Sequence, residues 1–155
     1  MESDVECAGS ACQGPDGSPP LPVLLGRAES LFLNEFEQRL VDSEFGDVTL
    51  SHSANVLRFL DAGPRRASQF IGSCGVSKQA VSQQISQLEK RGYIVALPDP
   101  DDQRARLLAL TDRGSAAEAF VRQVFVEVEE AWTERLGASD ASALRRILER
   151  LAGVA

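Results

Sequence analysis

Residues 75–114 read GVSKQAVSQQISQLEKRGYIVALPDPDDQRARLLALTDRG, and their order decides the fold. Ser77 is a good N-cap, and at 100° per residue Val81, Ile85, Leu88 and Gly92 share one sector of the helix that follows. Gln79, Ser82, Gln83, Ser86 and Lys90 fall on the opposite side. Gly92 is a suitable residue to end the helix. Two strand-like runs come next, YIVAL (93–97) and RLLAL (106–110). The turn formers of PDPDDQ join them as a hairpin with an irregular tip.

Working upstream, a short helix carrying Ala67, Phe70 and Ile71 precedes the Cys74-Gly75 turn. Helix, glycine-containing turn and second helix make a helix-turn-helix pattern. A helix over about 50–60 ends before Gly63-Pro64, and one over about 21–41 carries Leu25, Ala28, Phe32, Phe36 and Leu40 at helical spacing. Downstream, Thr111 or Asp112 caps a long helix to about Leu136. Ser139 or Asp140 caps a last helix carrying Leu144, Ile147, Leu148 and Leu151. Residues 1–20 hold turn formers without apolar periodicity and read as a disordered tail. The fold class is mainly α with a small β-hairpin, and there is no internal repeat.

A length of 155 residues allows one core and not two independent ones. No apolar run approaches the roughly 18 residues that span a bilayer. Glu2, Asp4 and Glu6 stand where a secretory signal would carry cations, so the expected location is cytoplasmic, away from any membrane. Three cysteines and one histidine, with no pair at ligand spacing, point away from a disulfide scaffold, a structural metal or a cofactor. One histidine and no Gly-rich phosphate loop also argue against an enzyme. The net charge of −7 is unevenly spread: residues 58–113 hold 9 basic and 6 acidic side chains, and the excess of acid lies outside them. A locally basic segment held by an acidic scaffold is compatible with a module that reads DNA.

The outer face of the second helix has no carboxylate in its first three turns. Gln79 and Gln83 suit a bidentate pair with adenine, and Ser77, Ser82 and Ser86 suit base edges or phosphate. Lys78 stands in the first turn, where the helix N-terminus also attracts phosphate. The blander reading is a face kept polar for solubility, though such faces usually carry Glu and Lys. A hairpin directly after such a helix forms a wing. Arg104 and Arg106 sit at or beside its tip, where the minor groove attracts arginine. Asp99, Asp101 and Asp102 cluster there too, and one of them, Asp102 foremost, is placed to pair with Arg104. An incidental surface ion pair is the alternative, and it would contribute under about 1 kcal/mol.

The same run resembles the DNA-binding core of the MarR family, the multiple antibiotic resistance regulators. The resemblance rests on Leu88-Glu89 with Gly92, on Asp99-Pro100-Asp101-Asp102-Gln103-Arg104, and on Leu110-Thr111-Asp112-Arg113-Gly114. It is dense over 75–114 and compatible in layout over most of the remaining chain. It implies that Arg104 enters the minor groove with Asp102 orienting it, and that 77–91 reads bases. It also implies a winged helix-turn-helix over 46–114 and dimerisation helices over 21–45 and 115–155, forming a homodimer on a pseudo-palindromic double-stranded DNA site. Gln103 departs from the second arginine often found there, which weakens the expected phosphate contact. Phe120, Val121, Val124, Phe125, Val128 and Trp132 cover a wide arc of the long helix, and so wide an arc wants a second partner.

The resemblance further implies a repressor released by a small-molecule effector bound beside the dimer helices, with Phe32, Phe36, His52 and Arg58 as candidate lining. Each of these four also reads simply as core or surface. Oxidant control is the lesser route: Cys7 and Cys12 have no cation nearby in sequence, and Cys74 lies in the turn of the reading head. A winged helix used for protein–protein contact, without specific DNA binding, is the alternative function. It draws on the −7 charge and on the three wing aspartates.

Overall fold

The computed structural model describes residues 17–74, 76–102 and 104–154. Cys7, Cys12, Gly75, Gln103 and most of the expected tail lie outside them. The chain divides into two compact units at Glu35–Phe36, within the first helix, α1 (Leu21–Val41). In the first unit Ser30 Oγ donates back to Gly26 O at 2.8 Å, and Leu21, Val23, Leu24, Leu25 and Leu31 are exposed.

The second unit begins with the last turns of α1, where Phe36 and Leu40 are buried. A helical stretch follows in three pieces: α2 (Leu50–His52), a π-helical turn (Ser53–Leu57) and α3 (Arg58–Leu60). Next come two 3₁₀ turns, Ala67–Gln69 and Ile71–Ser73, then α4 (Lys78–Lys90). A two-stranded antiparallel sheet pairs β1 (Ile94–Pro98) with β2 (Arg106–Leu110), and α5 (Asp112–Leu136) and α6 (Ala138–Ala152) complete the chain. The mainly α architecture with a small hairpin matches the expected fold class.

Four local expectations shift. The helix expected around Phe70 is a pair of 3₁₀ turns, Ala67–Gln69 and Ile71–Ser73, pieces of three residues each with Gly72 inside the second, too short to sustain α-helical nucleation. The first strand starts at Ile94, not Tyr93. Tyr93 is fully buried and its carbonyl accepts from Thr111 N–H at 3.0 Å, so it serves α5 rather than the ladder. The last helix begins at Ala138 with Gly137 (φ 80°) as its unassisted cap, ahead of Ser139 and Asp140. On α5 the wide apolar arc meets its own chain: Phe120 lies 5.5 Å from Phe45 and Phe125 lies 4.8 Å from Phe36, centroid to centroid. Both rings stay half-buried, so these contacts cover only part of the arc.

The core joins Val56, Leu57 and Leu60 to Val81, Ile85 and Leu88 of α4 and to Val121, Val124 and Val128 of α5, all buried. The hairpin is fastened to it by a third strand-like contact, Arg65 N–H to Leu108 O at 2.9 Å and Leu108 N–H to Arg65 O at 2.8 Å.

Candidate nucleic-acid interface

The helix α4 starts where the sequence places it. Ser77 Oγ accepts from Ala80 N–H at 3.2 Å, which satisfies one of the open donors of the first turn. The apolar stripe of Val81, Ile85 and Leu88 turns inward, so Lys78, Gln79, Ser82, Gln83 and Ser86 stand exposed on one face. Ser86 Oγ donates to Ser82 O at 3.1 Å, which leaves that hydroxyl's lone pairs, not its proton, for another group.

At the wing, Arg104 and Arg106 are both exposed. Asp102 does bind Arg104, but through the backbone: Arg104 N–H donates to Asp102 Oδ1 at 3.0 Å. Ala105 N–H also donates to Asp102 O at 2.9 Å. Asp102 thus shapes the turn that carries the guanidinium, and among the described residues no ion pair joins that guanidinium to it.

Asp99 has a role that sequence reading missed. It is 5% exposed, its Oδ2 pairs with Arg66 Nε at 2.5 Å, and its Oδ1 accepts from Asp101 N–H at 2.9 Å. The Arg66 guanidinium, followed by the Asp101 amide, holds the Asp99 carboxyl below its ordinary range. An Asp-Pro turn is legible in sequence, but its partner lies 33 positions away and carries no local signal.

Behind α4 lies a polar layer. Thr49 N–H donates to His52 Nδ1 at 3.1 Å, and a backbone N–H can only donate, so Nε2 carries the ring proton. His52 Nε2 therefore donates to Gln87 Oε1 at 3.1 Å. Asn55 Nδ2 donates to Gln84 Oε1 at 3.1 Å, and Ser53 Oγ donates to the buried Glu118 Oε2 at 2.8 Å. Beside the C-terminus of α4, Tyr93 OH donates to Asp47 Oδ1 at 2.5 Å and accepts from Arg113 Nη2 at 3.0 Å. Arg91 Nη1 donates to Asp47 O at 2.6 Å.

Burial holds the His52 pKa below its ordinary 6.5, with Arg91 adding to that and Gln87 and Asp47 opposing it. The unfolded chain therefore takes up a proton near 6.5 that the folded chain refuses, so stability is full above that value and declines as the pH falls below it. Glu118, raised by its own burial, acts in the opposite sense, its contribution complete only below 4.5. The thermal midpoint should fall between about pH 7.5 and 5.5, and His52→Gln should flatten that slope. An unchanged slope in the variant would place the titration elsewhere.

The remaining candidates are scattered in role. Phe36 is fully buried against Phe125, His52 belongs to the layer behind α4, and Arg58 is exposed with its guanidinium 4.6 Å from the Phe59 ring centroid. Phe32 is half-buried in the first unit. The Cys74 thiol contacts Asn55 O at 3.3 Å and Phe70 O at 3.2 Å, and burial pushes its pKa up, the reverse of an activated thiolate. In a Cys7→Ser/Cys12→Ser background, Cys74 should react with iodoacetamide more slowly than free cysteine; equal or faster alkylation would mark it as a sensor. Among the described residues no three His, Cys, Asp or Glu side chains gather as metal ligands, and no helix is long and apolar enough to cross a membrane.

A helix-turn-helix whose second helix presents a polar face beside a two-stranded wing with cations at its tip defines the winged-helix class. Residues 47–105 match the sequence profile of the MarR family. The HTH-type transcriptional regulator TcaR of Staphylococcus aureus is 31% identical over 106 residues, which are 66% of this chain and 69% of that protein. The transcriptional repressor CouR, solved bound to a 23-mer DNA duplex, aligns with a TM-score of 0.72 at 28% identity, over 86% of this chain and 92% of that one. Reduced MarR from E. coli shares the fold, with a TM-score of 0.72 at 20% identity over 85% of this chain and 96% of that one. This chain belongs to the MarR family of winged-helix transcriptional regulators.

Proposed function

We propose that this protein is a sequence-specific DNA-binding repressor that acts as a homodimer on a pseudo-palindromic site and is released by a small molecule. The observation that carries the reading is the face of α4: Lys78, Gln79, Ser82, Gln83 and Ser86 lie exposed together, with Arg104 and Arg106 exposed on the wing that follows. In this reading residues 46–114 form the reading head, Asp102 shapes its wing, and the helices of 21–45 and 115–155 pair the two subunits. Support for pairing comes from α6, which buries none of its residues and leaves Leu144, Ile147, Leu148 and Leu151 exposed. An exposed apolar face of that kind marks an interaction surface. CouR, a repressor seen on DNA, supports both the DNA partner and the sign of regulation.

The test is fluorescence anisotropy on duplexes tiling the region upstream of the gene, with sedimentation velocity on the same samples. A preference of at least ~10³-fold for one segment over unrelated DNA, by a dimer, is the expected result. A compound library screened for loss of that anisotropy then reports the effector. Weak, sequence-blind binding would favour the protein–protein module. That alternative finds less support in the wing than its aspartates suggest, since Asp99 is buried on Arg66 and Asp102 is bound to the backbone of Arg104.

A further inference from the structure

One turn of helix grips the recognition helix from behind. In the π turn, Arg58 N–H donates to Ser53 O, five residues back. The extra residue alters which side chains face which neighbour. His52 and Asn55 face α4 and bond Gln87 and Gln84 at 3.1 Å each. Both pairs are three residues apart, so the two bonds form an antiparallel ladder along one flank of α4. Ser53, between them, turns the other way to Glu118 on α5 at 2.8 Å. His52, Ser53, Asn55 and Glu118 are 4%, 4%, 8% and 3% exposed, so water competes little for these bonds. Thr49 holds the far side of the imidazole.

We propose that His52 and Asn55 are positioning residues for base reading, fixing the roll of α4 about its axis so that Gln79, Ser82, Gln83 and Ser86 meet the groove in register. The proposal rests on the DNA-reading function above. The packing of Val81, Ile85 and Leu88 is non-directional and tolerates rotation, whereas hydrogen bonds are directional. A roll of about 10° moves a side-chain tip roughly 1 Å on a helix of about 5–6 Å radius. A hydrogen bond accepts a spread of only about 0.5 Å. Two bonds spaced along the flank resist both roll and slide; one alone would leave a pivot.

The test uses the duplex that the wild type selects from a library randomised over about 20 base pairs, with a scrambled duplex as reference. His52→Ala and Asn55→Ala should each cut the ratio of the two affinities by about tenfold. Binding to the scrambled duplex, which depends on phosphate contacts, should stay within about twofold. In the free protein, amide exchange should quicken along α4 and stay unchanged along α5. The double variant His52→Ala/Gln87→Ala should lose no more than the worse single, because both remove the same bond.

Where an alanine variant does not fold, His52→Leu or Asn55→Leu, which fill the space without a donor, takes its place. A ratio kept within about twofold in folded variants, or independent losses in the double, overturns the proposal. Failure of all four variants to fold would assign these residues to the core and overturn it as well. A wild type that prefers no duplex sinks the DNA-reading function and this proposal together. A wild-type preference that survives in the variants sinks the proposal alone.

Discussion

Gly114→Ala is expected to lower stability by about 3 kcal/mol or more, a fall in thermal midpoint of about 6–12 °C. A Cβ built on Gly114 would stand 1.9 Å from Tyr93 O and 2.9 Å from Tyr93 C, both backbone atoms that cannot swing aside. The crowding follows from how α5 begins. Thr111 N–H donates to Tyr93 O at 3.0 Å, Thr111 Oγ1 donates to Gly92 O at 2.6 Å, and that hydroxyl accepts from Gly114 N–H at 3.0 Å. The cap thus presses the first turn of α5 onto the chain leaving α4, and only a residue without a side chain fits the contact. Gly26→Ala is the control, since a Cβ there meets nothing within 4 Å in the body of α1. It should gain about 0.5–1 kcal/mol from lower backbone entropy in the unfolded chain. Differential scanning of both variants decides the matter. A loss under about 1 kcal/mol for Gly114→Ala would mean that α5 does not seat on Tyr93 as described.

Arg104→Ala should weaken binding to selected and unrelated DNA alike, by roughly 10- to 100-fold for the selected duplex at physiological salt. The side chain is exposed at the tip of the wing, while its backbone is pinned by Asp102 at 3.0 Å, so the cation is offered from a fixed turn. Removing one such contact should also reduce the slope of log affinity against log salt by about 0.9. Gln79→Ala should behave differently. It removes the amide that the proposed function assigns to base reading and no charge, so its effect belongs in the ratio between right and wrong sequences, about tenfold, with the salt slope unmoved. Equal, small effects from the two substitutions would mean that wing and helix do not divide the labour in this way.

How much of this was legible beforehand depended on the range of the interaction. The α4 helix, its Ser77 cap, its buried stripe and its polar face follow from residues within four positions of one another, where helical geometry alone sets the outcome. The hairpin and the Thr111 cap are local in the same sense. The L-T-x-x-G ending was visible as a pattern, but the reason for its glycine was not. That reason is the Tyr93 carbonyl, which the hairpin brings back against Gly114 from 21 positions earlier.

The amino-acid sequence by itself determined the order of elements, the face of α4 that turns outward and the place of the wing cations, because each depends on periodicity or on turn chemistry. The tertiary structure alone decided that Asp99 leaves solvent for Arg66, that Asp102 holds backbone and not guanidinium, and that Phe36 and Phe45 cover Phe125 and Phe120. It alone brought His52 and Asn55 onto the back of α4. These contacts join residues 29 to 89 positions apart or, at Asp102, turn on a choice between two nearby donors. No periodicity records such a pairing; it exists only once the packed core has set the distance between two elements.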